Sequence, residues 1–575
     1  MSRRGRWRPR GAAAVLAAVL LAVLAAPAGA AAAGAQQDAG TAEVLRIPFP
    51  HDDGSLTPYT FELGYPLVTL VYDTLAWRDA DGDPQPWLAA SIDVAPDARQ
   101  VTVRLREGAR WHDGRPVTAE DVVFTFAYVA ERFHPRFTPQ VAAIAAVTAV
   151  DARTAVFDLA RPSPGFVDQP LADVPILPAH LWGELPDGSA APHGLPVGSG
   201  PYRLTDHRPG QGYRFEAVTE HPLGAPAVAV IEVPVIRTAS ETLAALERRE
   251  VDMIPLALPA QAQERVEGLG VRIVDGASYA GTTLLFNLRA PPFDDPAARR
   301  AVAATLDRIR IVRAVGDAVP ADRGVLHPAS PWAPDEALDA IGGADPVDLG
   351  DLGLPPLEVL APNNDPVKVE AARQVALALS GAGADAEMVA VARDELSSRI
   401  GEDGAPPDFQ LAISSSPPLA SYDPDFLSAV FGAQGPLNHT GYASAEFDAL
   451  AGEVATTTDP DARRGAVARQ LALLARDLPV VPLFFADGAF AHRPAIYDGW
   501  VYVAGRGILD KRSFMTAGQE GGDEATPPPG DDAAPAPDDQ ATSPPTGGSP
   551  LGWVVAGLLA AAGALATIAV VKGRR

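Results

Sequence analysis

The residue types that carry out nucleophilic or metal-dependent catalysis do not occur in this chain at the spacings that such chemistry needs. No G-x-S-x-G elbow, H-E-x-x-H helix or G-x-x-x-x-G-K-[ST] loop is present. The ten histidines are scattered, without an i,i+3 or i,i+4 pair that could chelate a metal from one helix face. The chain has no cysteine, which excludes disulfides, a thiol nucleophile, zinc-thiolate and iron–sulfur sites, and a lipid-modified cysteine. The sequence therefore predicts a protein that is not an enzyme and needs no cofactor or metal.

One glycine motif fits a dinucleotide fingerprint in letters but not in context. Residues 381–386 read GAGADA, which satisfies G-x-G-x-x-A. A dinucleotide site needs a strand before the glycines and a helix after them, so that the pyrophosphate meets a helix N-terminus. Here a predicted helix, residues 367–379, precedes the glycines, and a predicted strand, residues 387–391, follows them. The pattern predicts that these glycines end a helix.

Length and charge narrow the class of protein. At 575 residues the chain is too long for one core and is expected to fold as two or more lobes. It carries 72 acidic and 46 basic residues, a formal net charge of −26. This charge argues against nucleic acid or anionic lipid as a partner of the folded body.

Both ends of the chain have the composition of membrane-directed segments. A basic start, an apolar run over residues 11–26 and A-x-A sites predict a signal peptide, residues 1–35. Residues 551–571 carry no charge and precede a basic tail, residues 572–575, which predicts a transmembrane helix with a cytoplasmic C-terminus. Residues 516–550 are rich in proline, glycine and acids, which predicts a disordered stalk. The expected location is the cell membrane, single-pass, with the folded body extracellular or periplasmic.

The most informative stretch of the folded body predicts a strand, a turn and a capped helix. Val101, Val103 and Leu105 alternate with polar residues, as in a half-buried strand. A polar turn at residues 113–114 follows. Thr118 then stands three residues before Asp121, a spacing that caps the free N–H groups of a helix start.

The wording of this stretch, LREGARWHDGRPVTAEDVVFTF at residues 105–126, resembles the signature of the family 5 extracellular solute-binding proteins. These are the peptide, dipeptide and nickel receptors that feed ABC importers. Four further stretches match the family in order: PVGSGPYRL (196–204), LLFNLRAPPFDDPAARRAVAATLDR (284–308), NHTGYASAEFDAL (438–450) and LPVVPL (478–483). Five ordered matches over most of the folded body are hard to obtain by chance.

The resemblance implies an α/β, two-lobed, periplasmic-binding-protein-like fold with an inserted subdomain. Lobe I would comprise residues 43–84, 196–283 and 484–515, and the inserted subdomain residues 85–195. Lobe II would comprise residues 284–483. The ligand would lie between lobes that close about hinges near residues 283 and 483.

The resemblance also implies a place for the ligand's α-ammonium group. In peptide-binding relatives, an aspartate in a D-Y-x-D-P-like run after a strand of lobe II pairs with it. The corresponding residues 414–426 read SSSPPLASYDPDF, in which Ser421 stands where the acid is expected and Tyr422 and Asp423 preserve part of the run. A hydroxyl cannot supply a charge-assisted hydrogen bond. Asp423 or Asp425 could replace the acid if the loop shifts, or Asp423 could simply cap the loop.

The remaining candidate ligand-binding residues are hydroxyls and aromatic side chains. Ser415 and Ser416, with Ser414, could bind an extended peptide as an added strand. Tyr59, Tyr279 and Trp332 are candidate aromatic walls, although ordinary packing would explain each of them at least as well. A counter-charge for a ligand carboxylate is not evident, because residues 401–462 contain no lysine or arginine.

The resemblance thus implies a surface-tethered receptor that delivers a ligand, foremost peptides, to an ABC import permease by closure of its lobes. The expected partners are the ligand, the permease subunits and the membrane through the C-terminal helix; no nucleic acid is expected, and the protein would be a monomer. Ser421 favours an alternative, a receptor for nickel, a metal chelate or another non-peptide solute on the same fold. A non-transport surface sensor is a further alternative.

Overall fold

The computed structural model describes residues 42–515 apart from residues 62, 186–190, 257–264, 267, 317, 339–347, 403 and 417. The predicted signal peptide, stalk, membrane helix and cytoplasmic tail lie outside the described residues. Within these residues, no helix combines the length and apolar character that crossing a membrane requires.

The strands follow the chain from the first described residue almost to the last. They are β1 (Ala42–Arg46), β2 (Ala76–Arg78), β3 (Pro84–Pro86), β4 (Ala89–Val94), β5 (Gln100–Leu105), β6 (Ile144–Asp151), β7 (Thr154–Leu159), β8 (Tyr202–Arg208), β9 (Gly212–Ala217), β10 (Val228–Pro234), β11 (Met253–Pro255), β12 (Arg272–Phe286), β13 (Ala318–Pro320), β14 (Leu357–Pro362), β15 (Ala386–Val391), β16 (Leu411–Ser416) and β17 (Val480–His492).

The helices are concentrated in the second half of the chain. They are α1 (Tyr65–Val71), α2 (Ala119–Glu131), α3 (Ala179–Trp182), α4 (Ala239–Glu247), α5 (Pro296–Thr305), α6 (Arg308–Val315), α7 (Pro366–Gly381), α8 (Arg393–Ile400), α9 (Leu419–Tyr422), α10 (Leu427–Phe431), α11 (Ala445–Thr456) and α12 (Pro460–Asp477). Short single-turn segments are Thr138–Val141, Val167–Leu171, Leu349–Leu352, Pro424–Phe426 and Lys511–Phe514.

Segments distant in sequence build the first sheet, in the order β1-β10-β9-β8. Strand β1 pairs in parallel with β10, and the other pairs are antiparallel. Leu45, Phe215 and Ile231 are buried in its core, and Phe514 from the end of the described chain joins them. The three sequence segments predicted for lobe I therefore share one core.

Residues 85–195 carry a separate four-stranded antiparallel sheet, in the order β4-β5-β7-β6. Helix α2 packs on β6 and β7. Its start is capped as the sequence predicts, since the Thr118 N–H donates to Asp121 Oδ2 at 2.9 Å. Val122 and Phe126 are buried beneath it. The strand, turn and capped helix predicted for this stretch are confirmed.

The largest sheet has the order β11-β17-β12-β16-β14-β15, with β13 paired to β17. Strands β12 and β17 are 15 and 13 residues long and pair along most of their length. The crossings expected near residues 283 and 483 fall inside these two strands. Strand β14 is parallel to β15 and β16, and α7 connects β14 to β15. Apolar cores cover both faces of this sheet.

The glycine motif at residues 381–386 lies where the sequence predicts. Helix α7 ends at Gly381, and β15 begins at Ala386. Gly383 has a φ of +92°, the left-handed conformation that glycine adopts after a helix. The glycines thus follow a helix rather than open one, which is the wrong order for a dinucleotide site.

Candidate functional site

Tyr422 lies where predicted lobe II meets predicted lobe I. It ends the one-turn helix α9, and its ring is buried. The guanidinium carbon of Arg78, on β2, lies 3.7 Å from the centre of this ring. The Tyr422 hydroxyl donates a hydrogen bond to the carbonyl oxygen of Ala504. Two distant segments of lobe I therefore converge on one side chain of lobe II.

Two glycines of lobe I make room for the Tyr422 ring. Gly82 and Gly505 have φ angles of +96° and +75°, which residues other than glycine rarely adopt. A methyl group on Gly505 would lie 2.5 Å from the Tyr422 hydroxyl oxygen. A larger residue at position 505 would therefore displace the ring.

Asp423, the next residue, uses only one of its carboxylate oxygens. Oδ1 accepts from Arg463 Nη2 at 2.7 Å and from the Asp425 N–H at 2.8 Å. Oδ2 is buried and has no hydrogen-bond partner among the described residues. Because a buried carboxylate oxygen without a donor is costly, this oxygen is a natural acceptor for a ligand group.

The inserted subdomain covers this unpaired oxygen. A methyl group on Gly165 would lie 1.7 Å from Asp423 Oδ2, so only glycine permits the approach. Gln169 Nε2 donates to the Asp423 carbonyl oxygen at 3.2 Å. Both contacts join residues 85–195 to lobe II, so separation of the two would uncover Asp423.

Two further carboxylates surround Asp423. Burial raises the pKa of Asp168 to about 6, and the nearby charge of Asp423 contributes to this rise. Arg78, whose guanidinium lies 3.3 Å from Asp168, acts in the opposite direction. Burial and the nearby Asp423 also raise the pKa of Asp425 to about 6, against the effect of Arg161. These shifts mean that the arrangement of Asp168, Asp423 and Asp425 disfavours so many negative charges. A cationic ligand group would relieve this repulsion.

Tyr279 adjoins Tyr422. It lies in an irregular part of β12, between the register positions of Ala277 and Gly281, and has a φ of +56°. Its ring centre is 5.2 Å from that of Tyr422 in an edge-to-face arrangement. Non-glycine residues rarely adopt such a φ, and those that do are concentrated at binding sites.

Ser415 and Ser416 lie at the end of β16. On one side, this strand pairs with β12 from Leu411 through Ser416. On the other side, β14 pairs with it only at Leu411 and Ala412. The edge of β16 over residues 413–416 therefore has no strand partner in the described part of the chain. An open edge of this kind is what an added peptide strand requires.

Ser421 and Tyr59 have protein partners in the structure. The Ser421 hydroxyl is buried and accepts from the His327 N–H at 3.0 Å. The Tyr59 hydroxyl donates to the Arg132 carbonyl oxygen at 3.1 Å, and its ring packs against Tyr128 and Trp182. The structure thus brings together Tyr279, Tyr422 and Asp423, and places Tyr59 in an aromatic group of lobe I and the inserted subdomain.

The sequence reasoning missed the cations of this site. Arg463, which binds Asp423, immediately follows residues 401–462, which contain no lysine or arginine. Arg78 lies more than 340 residues before Tyr422 in sequence, and no local pattern connects the two. Trp332, a candidate aromatic wall from the sequence, does lie at this site, because its indole N–H donates to the Tyr422 carbonyl oxygen at 3.0 Å. Within the described residues, no group of three or more His, Cys, Asp or Glu side chains could hold a metal ion.

Comparison with known proteins agrees with this architecture. Residues 83–437 match the family described as bacterial extracellular solute-binding proteins, family 5, middle region. Protein XP55 of Streptomyces lividans is 27% identical over 455 residues, which cover 75% of this chain and 82% of that protein.

Two solved structures share the fold. The oligopeptide-binding protein AppA from Bacillus subtilis, in complex with a nonapeptide, matches with a TM-score of 0.73 at 20% identity over 82% of this chain and 98% of AppA. NikA from Staphylococcus aureus, in complex with Ni(L-His)2, matches with a TM-score of 0.69 at 17% identity over 82% of this chain and 100% of NikA. The two-lobed α/β fold predicted from the sequence is confirmed.

Proposed function

The chain belongs to the family 5 bacterial extracellular solute-binding proteins, the binding components of ABC importers, and on this premise we propose that its ligand is a peptide. The peptide would bind between the lobes without covalent chemistry. It would stabilise the closed form, which would then deliver it to a membrane permease. A ligand that shifts the ratio of closed to open forms from 1:99 to 99:1 must prefer the closed form by about 5.5 kcal/mol.

The observation that carries this proposal is the open edge of β16, to which the unpaired carboxylate oxygen of Asp423 adds support. On this side, no strand of the described chain pairs with the backbone of residues 413–416, so an extended chain could add there. A peptide backbone satisfies such an edge, whereas a compact solute does not. Ser415 and Ser416 project from opposite faces of this strand, and their hydroxyls would supply further bonds.

Asp423 supports a ligand with a free N-terminus. Its Oδ1 is held by Arg463 and its Oδ2 is unpaired within the described residues. Once Gly165 moves away and uncovers it, Oδ2 would accept a charge-assisted hydrogen bond from an α-ammonium group. This group would also offset the repulsion among Asp168, Asp423 and Asp425. The rings of Tyr279 and Tyr422 would then pack against the N-terminal residue of the ligand.

One observation favours the alternative of a non-peptide solute. Ser421, where the peptide-binding relatives are expected to carry the amine-binding acid, is engaged with the His327 N–H. NikA from Staphylococcus aureus, which shares this fold, was solved with Ni(L-His)2. A chelate that brings its own metal ligands would need no metal-binding side chains from the protein.

Analysis of the bound solute distinguishes these functions. The full chain is purified without denaturation, its ligand is released with acid, and the extract is examined by mass spectrometry and elemental analysis. A sample that has been unfolded, washed and refolded gives the background. Peptides with free N-termini above this background are expected.

A metal or a non-peptide molecule in stoichiometric amount would overturn the peptide assignment. If the cleft is empty, thermal shifts decide the question, because a ligand that binds only the folded state raises the melting temperature. A mixed peptide digest is expected to raise it, and nickel with histidine is not.

A further inference from the structure

A short segment of the inserted subdomain, residues 161–171, closes on the carboxylate that the proposed function assigns to the ligand; we call it the plug. Gly165 lies so close to Asp423 Oδ2 that a methyl group on it would come within 1.7 Å of this oxygen. Gln169 Nε2 donates to the Asp423 carbonyl oxygen at 3.2 Å. The plug therefore covers both the side chain and the backbone of Asp423.

The plug leaves no room for a ligand at this oxygen. An ammonium nitrogen that donates to a carboxylate lies about 2.8 Å from the accepting oxygen. Gly165 itself fills that space on one side of Asp423 Oδ2, and the oxygen is buried on its other sides. A peptide N-terminus can therefore reach Asp423 only after the plug has moved away.

The plug is stiff and is anchored in the inserted subdomain. Pro162, Pro164 and Pro170 each fix a φ angle within it. Phe166 is 2% exposed and packs edge-to-face against Phe157 of the subdomain core, with ring centres 5.3 Å apart. Uncovering the carboxylate therefore requires the subdomain to move away from lobe II, rather than a local rearrangement of a loop.

Opposing contacts make the closed plug easy to displace. Arg161 Nη1 donates to the Ala455 carbonyl oxygen at 3.3 Å, a second hydrogen bond that holds the plug on lobe II. Asp168 of the plug, in contrast, brings its carboxylate close to that of Asp423, which already has Asp425 beside it. Single hydrogen bonds contribute modestly to stability, and repulsion among the carboxylates works against them. A ligand that bears a cation can therefore compete with the plug.

We propose that the structure is a self-closed state that excludes the ligand, in which Gly165 occupies the place of the ligand's ammonium group. The plug and the ligand compete for Asp423, and the ligand-bound form holds the subdomain farther from lobe II. The apparent affinity for a peptide is then lowered in proportion to the fraction of molecules in which the plug is open. This inference rests on the proposed function and adds to it an internal competitor that sets the affinity.

Gly165→Ala tests the plug, because the added methyl group collides with Asp423 only in the self-closed state. The φ angle of Gly165 lies outside the left-handed region, so its backbone accepts alanine. The full chain is unfolded, washed and refolded to remove its own ligand, and is then dialysed to equilibrium against a casein digest. Mass spectrometry of the retained peptides gives the peptide concentration at half-saturation. This concentration is expected to fall about tenfold in Gly165→Ala, as for a plug that is closed in about nine molecules of ten.

Two further variants accompany this test. Gly452→Ala is the matched control, because it adds the same methyl group on α11 of lobe II, where the surrounding space is open. Its half-saturation concentration is expected to equal that of wild type. Gln169→Met removes the hydrogen bond to the Asp423 carbonyl oxygen without a change of charge. A fall of about threefold is expected for it, which gives a second reading should Gly165→Ala fail to fold.

The outcomes also separate this inference from the proposed function. Peptides retained with the same half-saturation concentration by wild type and Gly165→Ala would overturn the plug and leave the peptide function standing. A higher concentration in Gly165→Ala would likewise overturn the plug, since the glycine would then belong to the ligand-bound form. If neither wild type nor the plug variants retain a peptide, the proposed function fails and the plug fails with it.

Discussion

Asp73 in lobe I is buried, whereas the Asp168 side chain in the inserted subdomain is 31% exposed, and the surroundings of the two carboxylates shift their pKa values in opposite directions. Asp73 Oδ1 accepts from Lys511 Nζ at 3.0 Å and from Trp87 Nε1 at 2.7 Å. Its Oδ2 accepts from His221 Nε2 at 3.2 Å. Burial alone would raise the pKa of Asp73, but Lys511 and His221 hold it well below its usual range.

Asp168 lacks such a complete set of partners. Arg78 is its ion-pair partner among the described residues, and Asp423 of lobe II faces it across the closed interface. The pKa of Asp168 is accordingly raised to about 6. Asp423, which faces it, has one carboxylate oxygen, Oδ2, without a hydrogen-bond partner among the described residues.

The difference follows from what each region must do. Asp73, His221 and Lys511 come from three separate segments of lobe I, and their bonds hold these segments together permanently. Asp168 and Asp423 come from parts that the proposed function requires to separate. A partly satisfied charge group at such an interface is unfavourable only while the interface is closed, and a ligand can supply what is missing.

The largest effect is expected from breaking the Asp73 network. Lys511→Met keeps the length of the side chain but leaves Asp73 buried without its cation, so the free energy of unfolding is expected to fall by about 3–5 kcal/mol. Urea denaturation followed by circular dichroism measures this change.

Arg248→Met is the control for this prediction. It removes an exposed partner of Glu250, 2.8 Å away, and no measurable change is expected because solvent screens the pair. A loss for Lys511→Met that does not exceed the control would mean that the Asp73 network does not hold lobe I together.

A smaller effect is expected at Asp423, on ligand binding. Asp423→Asn removes the negative charge but keeps an oxygen that can accept from Arg463. Binding of a peptide with a free N-terminus is expected to weaken by about 1–3 kcal/mol, because a charge-assisted bond is lost. Isothermal titration calorimetry measures it.

The ligand provides the matched control. An N-acetylated peptide of the same sequence has no ammonium group, so its affinity is expected to be equal for both proteins. If Asp423→Asn weakens both peptides alike, Asp423 acts through Arg463 and the loop. Unchanged affinity for the free peptide would remove Asp423 from the ligand site.

Local patterns made much of the fold predictable. The capped start of α2 depends on Thr118 and Asp121, which are three residues apart. The order of helix, glycines and strand around residues 381–386 is also a local pattern, and it excluded a dinucleotide site. Each of these features is fixed by neighbours within a few residues.

The site could be predicted only in part, because its contacts join distant segments. The loop carrying Tyr422 and Asp423 was found through the family resemblance, and Tyr279 was named as a candidate wall. Arg78 and Gly165 could not be found, since their roles arise only when lobe I and the inserted subdomain meet lobe II. Tyr59 shows the converse, because an aromatic residue in a loop gives no sign of which neighbours it will contact.

The smallest effect, on stability as a function of pH, is expected at Asp168. The unfolded chain releases this proton near pH 3.8, and the closed form releases it near pH 6. Between these values the folded state binds the extra proton, so the free energy of unfolding falls as pH rises from about 4 to about 6. Asp168→Asn removes this loss. Because the side chain is 31% exposed and partly screened, the variant is expected to gain about 1 kcal/mol over wild type at pH 7 and nothing at pH 4.

Asp73→Asn is expected to show the opposite pH dependence. Since the folded state lowers the pKa of Asp73, its ionised form stabilises the protein at neutral pH, and this contribution is lost as pH falls below the ordinary value. The variant should therefore be less stable than wild type at pH 7, with a deficit that shrinks on acidification. Urea midpoints at pH 2, 3, 4, 5, 6 and 7 give both difference curves, with the change for Asp73→Asn expected below pH 4 and the change for Asp168→Asn between pH 4 and 6. Opposite slopes would support a carboxylate in lobe I whose partners stabilise its charge and a carboxylate at the interface whose charge is disfavoured. A flat curve for Asp168→Asn would mean that the ligand-free protein is open in solution and that Asp168 is solvated there.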